Sequence, residues 1–264
     1  MTAPTFRIVE FPRSRIATVD IGAIGKRKHY VSAVLELDVT VARERMASAR
    51  KEPGPRVSFT AWILKVVGGT VSRHKEVAAF RCGRRKLMIF DDVDISIVVE
   101  KDVAGRKVPL PLVVRKVQEK SLAEITAEID GAKAEMPVDG KAVLGQGSGV
   151  LERLYYRLPG AIRRAAWRLM LRRPRYVFGK MGNVVVTSVG MMGRVNGWFL
   201  QTSIHPVSFG VGSISRKPAV VGDGIESRDI LPMTVLIDHD AVDGAPMARF
   251  IAALTKDIEA GLGL

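Results

Sequence analysis

The chain has 264 residues, 47% hydrophobic and 26% charged, which is ordinary globular composition and excludes a disordered tail, a fibre and a disulfide-stapled mini-protein. A single cysteine, Cys82, excludes an intrachain disulfide and a cysteine-rich zinc site. The net charge of +14 is concentrated: Val150–Lys180 holds nine Arg or Lys against one acid, Glu152, so an anionic partner is expected there, be it phosphate, lipid headgroup or nucleic acid.

The first 28 residues read as basic and irregular, and MTAPTFRIVEFPRSR lacks the apolar run of a secretory signal. No stretch of eighteen uncharged apolar residues is present to span a membrane as a simple helix, so the simplest address is the cytoplasm. HYVSAVLELDV (29–39) alternates as a strand, and Thr40 is expected to cap a helix that stops at Glu52-Pro53-Gly54-Pro55. Ser58-Phe59-Thr60 opens a second helix. DISIVV (94–99) and VPLPLVV (108–114) read as strands, the second with two prolines that place it at an edge or bulge. Ser121 followed by Glu124 is a capping box that opens an amphipathic helix.

Residues 137–149 read as a glycine-rich loop, and the basic segment as two helical pieces divided at Pro159-Gly160 and ended by Pro174. Strands are expected at 184–188, 206–214 and 233–237, and Asp243-Gly244-Ala245-Pro246 starts a last helix with Met247, Phe250, Ile251, Leu254 and Ile258 on its apolar face. The mixture of strands and helices predicts one α/β or α+β domain over residues 1–264 with a mixed sheet, carrying a basic helical insertion at about 150–180.

Of four histidines, His239 has the context best suited to proton transfer. It follows an apolar strand and precedes a helix start, between Asp238 and Asp240, which would favour its protonated form. On local pattern alone, Asp243 could equally be a plain helix cap with His239 packed beside it.

DHDAVDGAPMARFIAAL resembles the H-x-x-x-D-G signature, with its usual continuation, of the dihydrolipoyl acyltransferases of 2-oxoacid dehydrogenase complexes. Val57–Thr60, Asp92–Val99, Lys120–Ile125 and Val186–Gly193 resemble, in order, that family's S-F-T helix, D-V-N-I-G-I-A-V strand, K-S-L-A-E-L helix start and I-S-N-L-G-x-x-G turn. The resemblance implies a chloramphenicol acetyltransferase-like fold, a two-layer mixed sheet packed with helices, and acyl transfer between coenzyme A and a thiol such as dihydrolipoamide. It implies His239 as the base, Thr187 as the oxyanion donor with neighbouring Ser188 as the fallback, and Asp243 as the structural aspartate paired with an arginine; Arg13 and Arg15 are candidates by position. It also implies a homotrimer with sites shared between neighbours, acyl-coenzyme A as substrate and no metal.

Three departures from the family stand out. Asp240 replaces an arginine and would make the site more acidic. The resemblance begins almost at Met1, so lipoyl and peripheral-subunit-binding domains are expected to be absent, a lipoyl or carrier domain to come from another chain, and no lipoyl group to be attached to this one. The basic segment replaces a short connection. That segment reads either as a hairpin docked on the sheet domain with solvated arginines, as an interfacial helix on an anionic membrane surface, or as a contact for coenzyme A phosphates or a partner protein; nucleic acid is disfavoured because no nucleic-acid-binding motif accompanies it. A non-catalytic assembly or scaffold subunit that keeps the fold, membrane-peripheral or not, is the alternative to the enzyme. His29 is expected as a wall residue, His74 at a helix C-terminus, and His205 and Cys82 have no assigned role.

Overall fold

A computed structural model describes residues 6–11, 14–51, 57–103, 106–134, 154–190, 193 and 196–264. The glycine-rich loop at 137–149 lies outside them. Strand β1 (Tyr30–Asp38), β4 (Ile95–Val103), β5 (Arg106–Val114), β6 (Val184–Ser188), β7 (Val207–Val211), β8 (Ser215–Val221) and β9 (Gly224–Asp238) form a seven-stranded sheet in the order β1-β9-β7-β6-β4-β5, with β8 paired to the first half of β9. The β4-β6 and β6-β7 pairs are parallel and the rest antiparallel, so the sheet is mixed. A hairpin of β2 (Phe80–Cys82) and β3 (Lys86–Met88) stands apart. Strand β5 is an edge, where prolines remove no ladder bond that another strand would need.

The period-2 pattern sends alternate side chains to opposite faces. Leu37, Ile95, Ile97, Val184, Val186, Phe209, Met233 and Val235 face a helix layer built from α3 (Phe59–Arg73), α4 (Leu122–Ala134) and the last helix, α7 (Gly244–Glu259). Trp62 of α3 and Phe250, Leu254 and Ile258 of α7 are fully buried against them. The local signals work as the residue types require. Ser58 accepts from the Ala61 amide at 3.0 Å; Ser121 and Glu124 exchange bonds of 2.7 and 3.2 Å, satisfying amides that the helix itself leaves open. At α2 (Thr40–Ala49) the cap is Val39, not Thr40, and the Asp38 carboxylate accepts from both the Thr40 amide and hydroxyl.

Two elements differ from the sequence expectation. Residues 14–25 are helical (α1), not irregular, and β8-β9 forms a long hairpin of which only Met233–Ile237 was expected as strand. The basic segment forms α5 (Gly160–Leu171) and α6 (Pro174–Met181), so Pro174 opens a helix at its first turn as well as ending one.

These two helices are docked. Trp167 of α5 packs with Ile24 of α1 and Ile204. Asp20, fully buried in α1, accepts from Arg163 Nε at 2.6 Å and from the Tyr155 hydroxyl at 2.9 Å, and Trp167 donates to that hydroxyl at 3.0 Å. Phe178 of α6 stacks on Phe90 with centroids 4.0 Å apart, and Arg115 donates to the Phe178 and Gly179 carbonyls while pairing with buried Asp94 at 2.7 Å. Gly182 then turns at φ +73°, where a Cβ would lie 2.2 Å from the Asp94 carbonyl oxygen. Arg163 is therefore a structural ion-pair partner and not a solvated charge, contrary to the uniform solvation expected of a docked hairpin.

Candidate functional site

The segment His29-Tyr30 starts β1 beside the end of β9, and their pairing, Tyr30 opposite Asp238, brings residues 208 positions apart into one cluster. The His239 amide donates to the His29 carbonyl at 2.8 Å, the Asp238 amide to the Pro206 carbonyl at 2.9 Å, and the Ala241 amide to the Asp238 carbonyl at 3.1 Å. Asp238 is buried, and its carboxylate is ion-paired with Lys28 and accepts from the Asp240 amide. A buried charge needs such a partner, so Lys28 and the Asp240 amide together fix the turn that carries His239. The His239 ring is exposed, and no hydrogen bond holds it among the described residues.

Asp240 is the carboxylate expected to acidify the site. Its Oδ1 is 3.0 Å from His29 Nδ1 and 3.8 Å from an Arg81 guanidinium nitrogen, so the guanidinium offsets part of its charge. His29 is thus an exposed partner of Asp240 on the rim, and the β2-β3 hairpin stands beside the turn. Lys28 and Arg81 were not singled out in sequence. Nothing local marks them, because their partners are supplied by pairing across the whole chain.

Beneath the turn, the Tyr30 hydroxyl donates to the His205 carbonyl at 2.6 Å. Burial chiefly, and the Asp238 charge next, push the Tyr30 phenol well up, so it stays protonated. His205 is buried, with Nε2 3.2 Å from the Met181 carbonyl oxygen, which assigns the proton to Nε2. Burial lowers its pKa to about 4, so it is neutral at neutral pH; its role is to join α6 to the strand end.

Thr187 is half-buried on β6, paired opposite Gly210, which is in turn opposite Thr234 on β9. Alternation puts the Thr187 side chain on the face away from the helix layer, and Ser188 on the opposite face with Val184 and Val186. Segment 199–201 covers the sheet here: a Cβ on Gly210 would lie 2.5 Å from the Gln201 side-chain amide and 3.1 Å from the Phe199 ring. His239 lies five residues beyond Thr234 and two strands across from Thr187, about 17 Å along and about 10 Å across the sheet. One chain does not bring these two side chains together. Asp243 is the exposed N-cap residue of α7. Arg13 lies outside the described residues, the Arg15 guanidinium stands over the Phe11 ring at 5.4 Å, and no ion pair among the described residues reaches Asp243.

Comparisons with known proteins follow the same lines. A model of the 2-oxoacid dehydrogenases acyltransferase (catalytic domain) family matches residues 28–136 and 180–263. The dihydrolipoyllysine-residue acetyltransferase component of the pyruvate dehydrogenase complex from Mycoplasma genitalium is 22% identical over 77% of this chain and 44% of its own length. The lipoamide acyltransferase component of the branched-chain alpha-keto acid dehydrogenase complex from Bacillus subtilis is 23% identical over 94% of this chain and 54% of its own. The chain thus spans about half the length or less of these curated relatives. A probable dihydrolipoamide acetyltransferase from Listeria monocytogenes superposes with a TM-score of 0.68 at 20% identity, covering 96% of this chain and 94% of that one. Azotobacter vinelandii dihydrolipoamide acetyltransferase superposes with 0.66 at 16% identity, covering 98% and 97%. The fold is the α/β mixed-sheet architecture expected, and the chain belongs to the family of 2-oxoacid dehydrogenase acyltransferase catalytic domains.

Proposed function

We propose that this chain is an acyltransferase acting between acyl-coenzyme A and a thiol of the dihydrolipoamide type, with His239, Thr187 and Asp243 in a site completed by a second subunit. The observation that carries the reading is the His239 turn: the ring is presented outward while both flanking acids are held by other groups. A scaffold subunit would have no need of a turn so arranged.

In the reaction, the imidazole of His239 takes the proton of the attacking thiol. The thiolate forms a C–S bond to the thioester carbonyl, whose electron pair moves to oxygen. The Thr187 hydroxyl donates a hydrogen bond to that oxyanion. Collapse breaks the other C–S bond, and the leaving thiolate recovers the proton from the imidazolium. Spacing supports the assignment. The Azotobacter vinelandii work concerns a serine, a histidine and an asparagine in the catalytic mechanism, with 52 residues from serine to histidine and four from histidine to asparagine. Thr187, His239 and Asp243 stand at the same intervals. A homotrimer is the assembly we propose, since head-to-tail contacts that close into a ring give every histidine a neighbour.

Incubation of the purified chain with acetyl-coenzyme A and dihydrolipoamide tests the reading. Release of free coenzyme A with formation of an acyl-dihydrolipoamide is expected; no transfer from any short acyl-coenzyme A to any dithiol would contradict it.

Lys28 enters as a positioning residue. Lys28→Met should lower kcat about 10- to 100-fold with KM little changed, because it leaves buried Asp238 unpaired and the His239 turn misplaced. Lys28→Arg should restore most of the rate. Equal loss in both variants, or loss confined to KM, would remove Lys28 from this role.

A further inference from the structure

Helix α5 and all but the last two residues of α6 fall in the interval 137–179 that the family match skips, so family membership assigns this surface nothing. Their docking uses one side of α5: Trp167, Arg163, Met170 and Leu171 face α1 and residue 204. The opposite side carries Ile162, Ala165, Ala166 and Leu169, all exposed. These positions are i, i+3, i+4 and i+7, the spacing of a continuous apolar stripe on a helix. A solvated outer face should be polar. Here Ile162 is 51% and Leu169 55% exposed, with Leu154 at 54% in the separate helical turn 154–157 and Tyr176 at 51% on α6.

Cations rim this surface. Arg157, Arg168, Arg172, Arg173 and Arg175 are exposed, and no Asp or Glu occurs anywhere between Glu152 and Asp223. An apolar stripe flanked by arginines, whose long stems can lie along it while their heads reach outward, matches the profile of a helix seated in a bilayer interface. The absence of any acid over so long a stretch suits a continuous anionic surface better than a protein partner, which presents both signs. Among the described residues no helix is long and apolar enough to cross a membrane.

We propose that the outward face of α5, continued onto α6, docks the protein on an anionic lipid bilayer, with Ile162 and Leu169 entering the headgroup-acyl boundary and Arg168, Arg172 and Arg173 meeting the lipid phosphates. Arg163, committed to Asp20, takes no part. The proposal does not depend on the acyl-transfer chemistry and can fail or hold separately from it.

Sedimentation of the full chain with vesicles tests it, using phosphatidylcholine alone and phosphatidylcholine mixed with phosphatidylglycerol. Binding is expected only to the mixed vesicles at low salt, and its loss at high salt. Replacing Arg168, Arg172 and Arg173 by Gln should weaken binding roughly fivefold per residue, on the order of a hundredfold together. Ile162→Ser with Leu169→Ser should weaken it by about tenfold or more without changing net charge. These side chains are exposed, so folding and acyl-transfer rates should be unchanged. No association with anionic vesicles at low salt overturns the proposal. So does binding that ignores the Ile162 and Leu169 changes, which would mean unspecific adsorption of a basic protein. A change of oligomeric mass in the double serine variant would assign the stripe to contacts between copies instead, and would also overturn it.

Discussion

Replacing His239 by Ala should lower acyl transfer by about two to four orders of magnitude while leaving the fold and assembly intact, the scale on which a general base contributes. The side chain is exposed at the end of β9 and makes no hydrogen bond among the described residues, so its removal breaks nothing structural. On the proposed mechanism it removes the group that accepts the thiol proton. Steady-state turnover with acetyl-coenzyme A and dihydrolipoamide, alongside circular dichroism and thermal unfolding, checks both halves. Unchanged turnover would take His239 out of the mechanism; loss of turnover together with unfolding would make the residue structural.

The second large effect is expected at Thr187. Thr187→Ala should cost about 100- to 1,000-fold in kcat, the usual consequence of losing one donor to an oxyanion. Thr187→Ser should keep most activity, since it retains the hydroxyl and loses only the methyl that restricts its rotamers. Ser188→Ala serves as the register control. The two residues point to opposite faces of β6, so only one of them can face a substrate on the covered side of Gly210. If Ser188→Ala carries the loss and Thr187→Ala does not, the assignment is off by one residue and the substrate lies on the other face.

Much of this arrangement was legible in sequence because it rests on local chemistry. Ser58 and the Ser121–Glu124 box act within one helical turn, and the apolar strands 94–99 and 184–188 are recognisable from their own residues. Helix α1 escaped because its stability is not local. It contains Gly22 and Gly25, several β-branched residues and a buried Asp20 whose partner, Arg163, is 143 positions away. The β8-β9 hairpin escaped for a related reason. Its outer part, with Val220, Val221 and Ile225 exposed, has no buried face to impose alternation. Of the candidate site residues, His239 and Asp243 are proposed from their motif and Thr187 from its turn. Lys28 and Arg81 became visible only when the β1-β9 pairing and the β2-β3 hairpin placed them against Asp238 and Asp240.

The separation of His239 from Thr187 within one chain makes a shared site the central claim, and subunit complementation tests it most directly. The His239→Ala and Thr187→Ala variants, each nearly inactive, are co-expressed with different tags and the mixed oligomers are isolated. If each site joins the histidine of one subunit to the threonine of the next, every mixed trimer, whichever variant is in excess, holds one intact site in three. Roughly a third of the wild-type rate is therefore expected in the isolated mixed oligomers of trimeric mass. Mixed oligomers no more active than their parents, or a monomeric mass by light scattering at full activity, would contradict it.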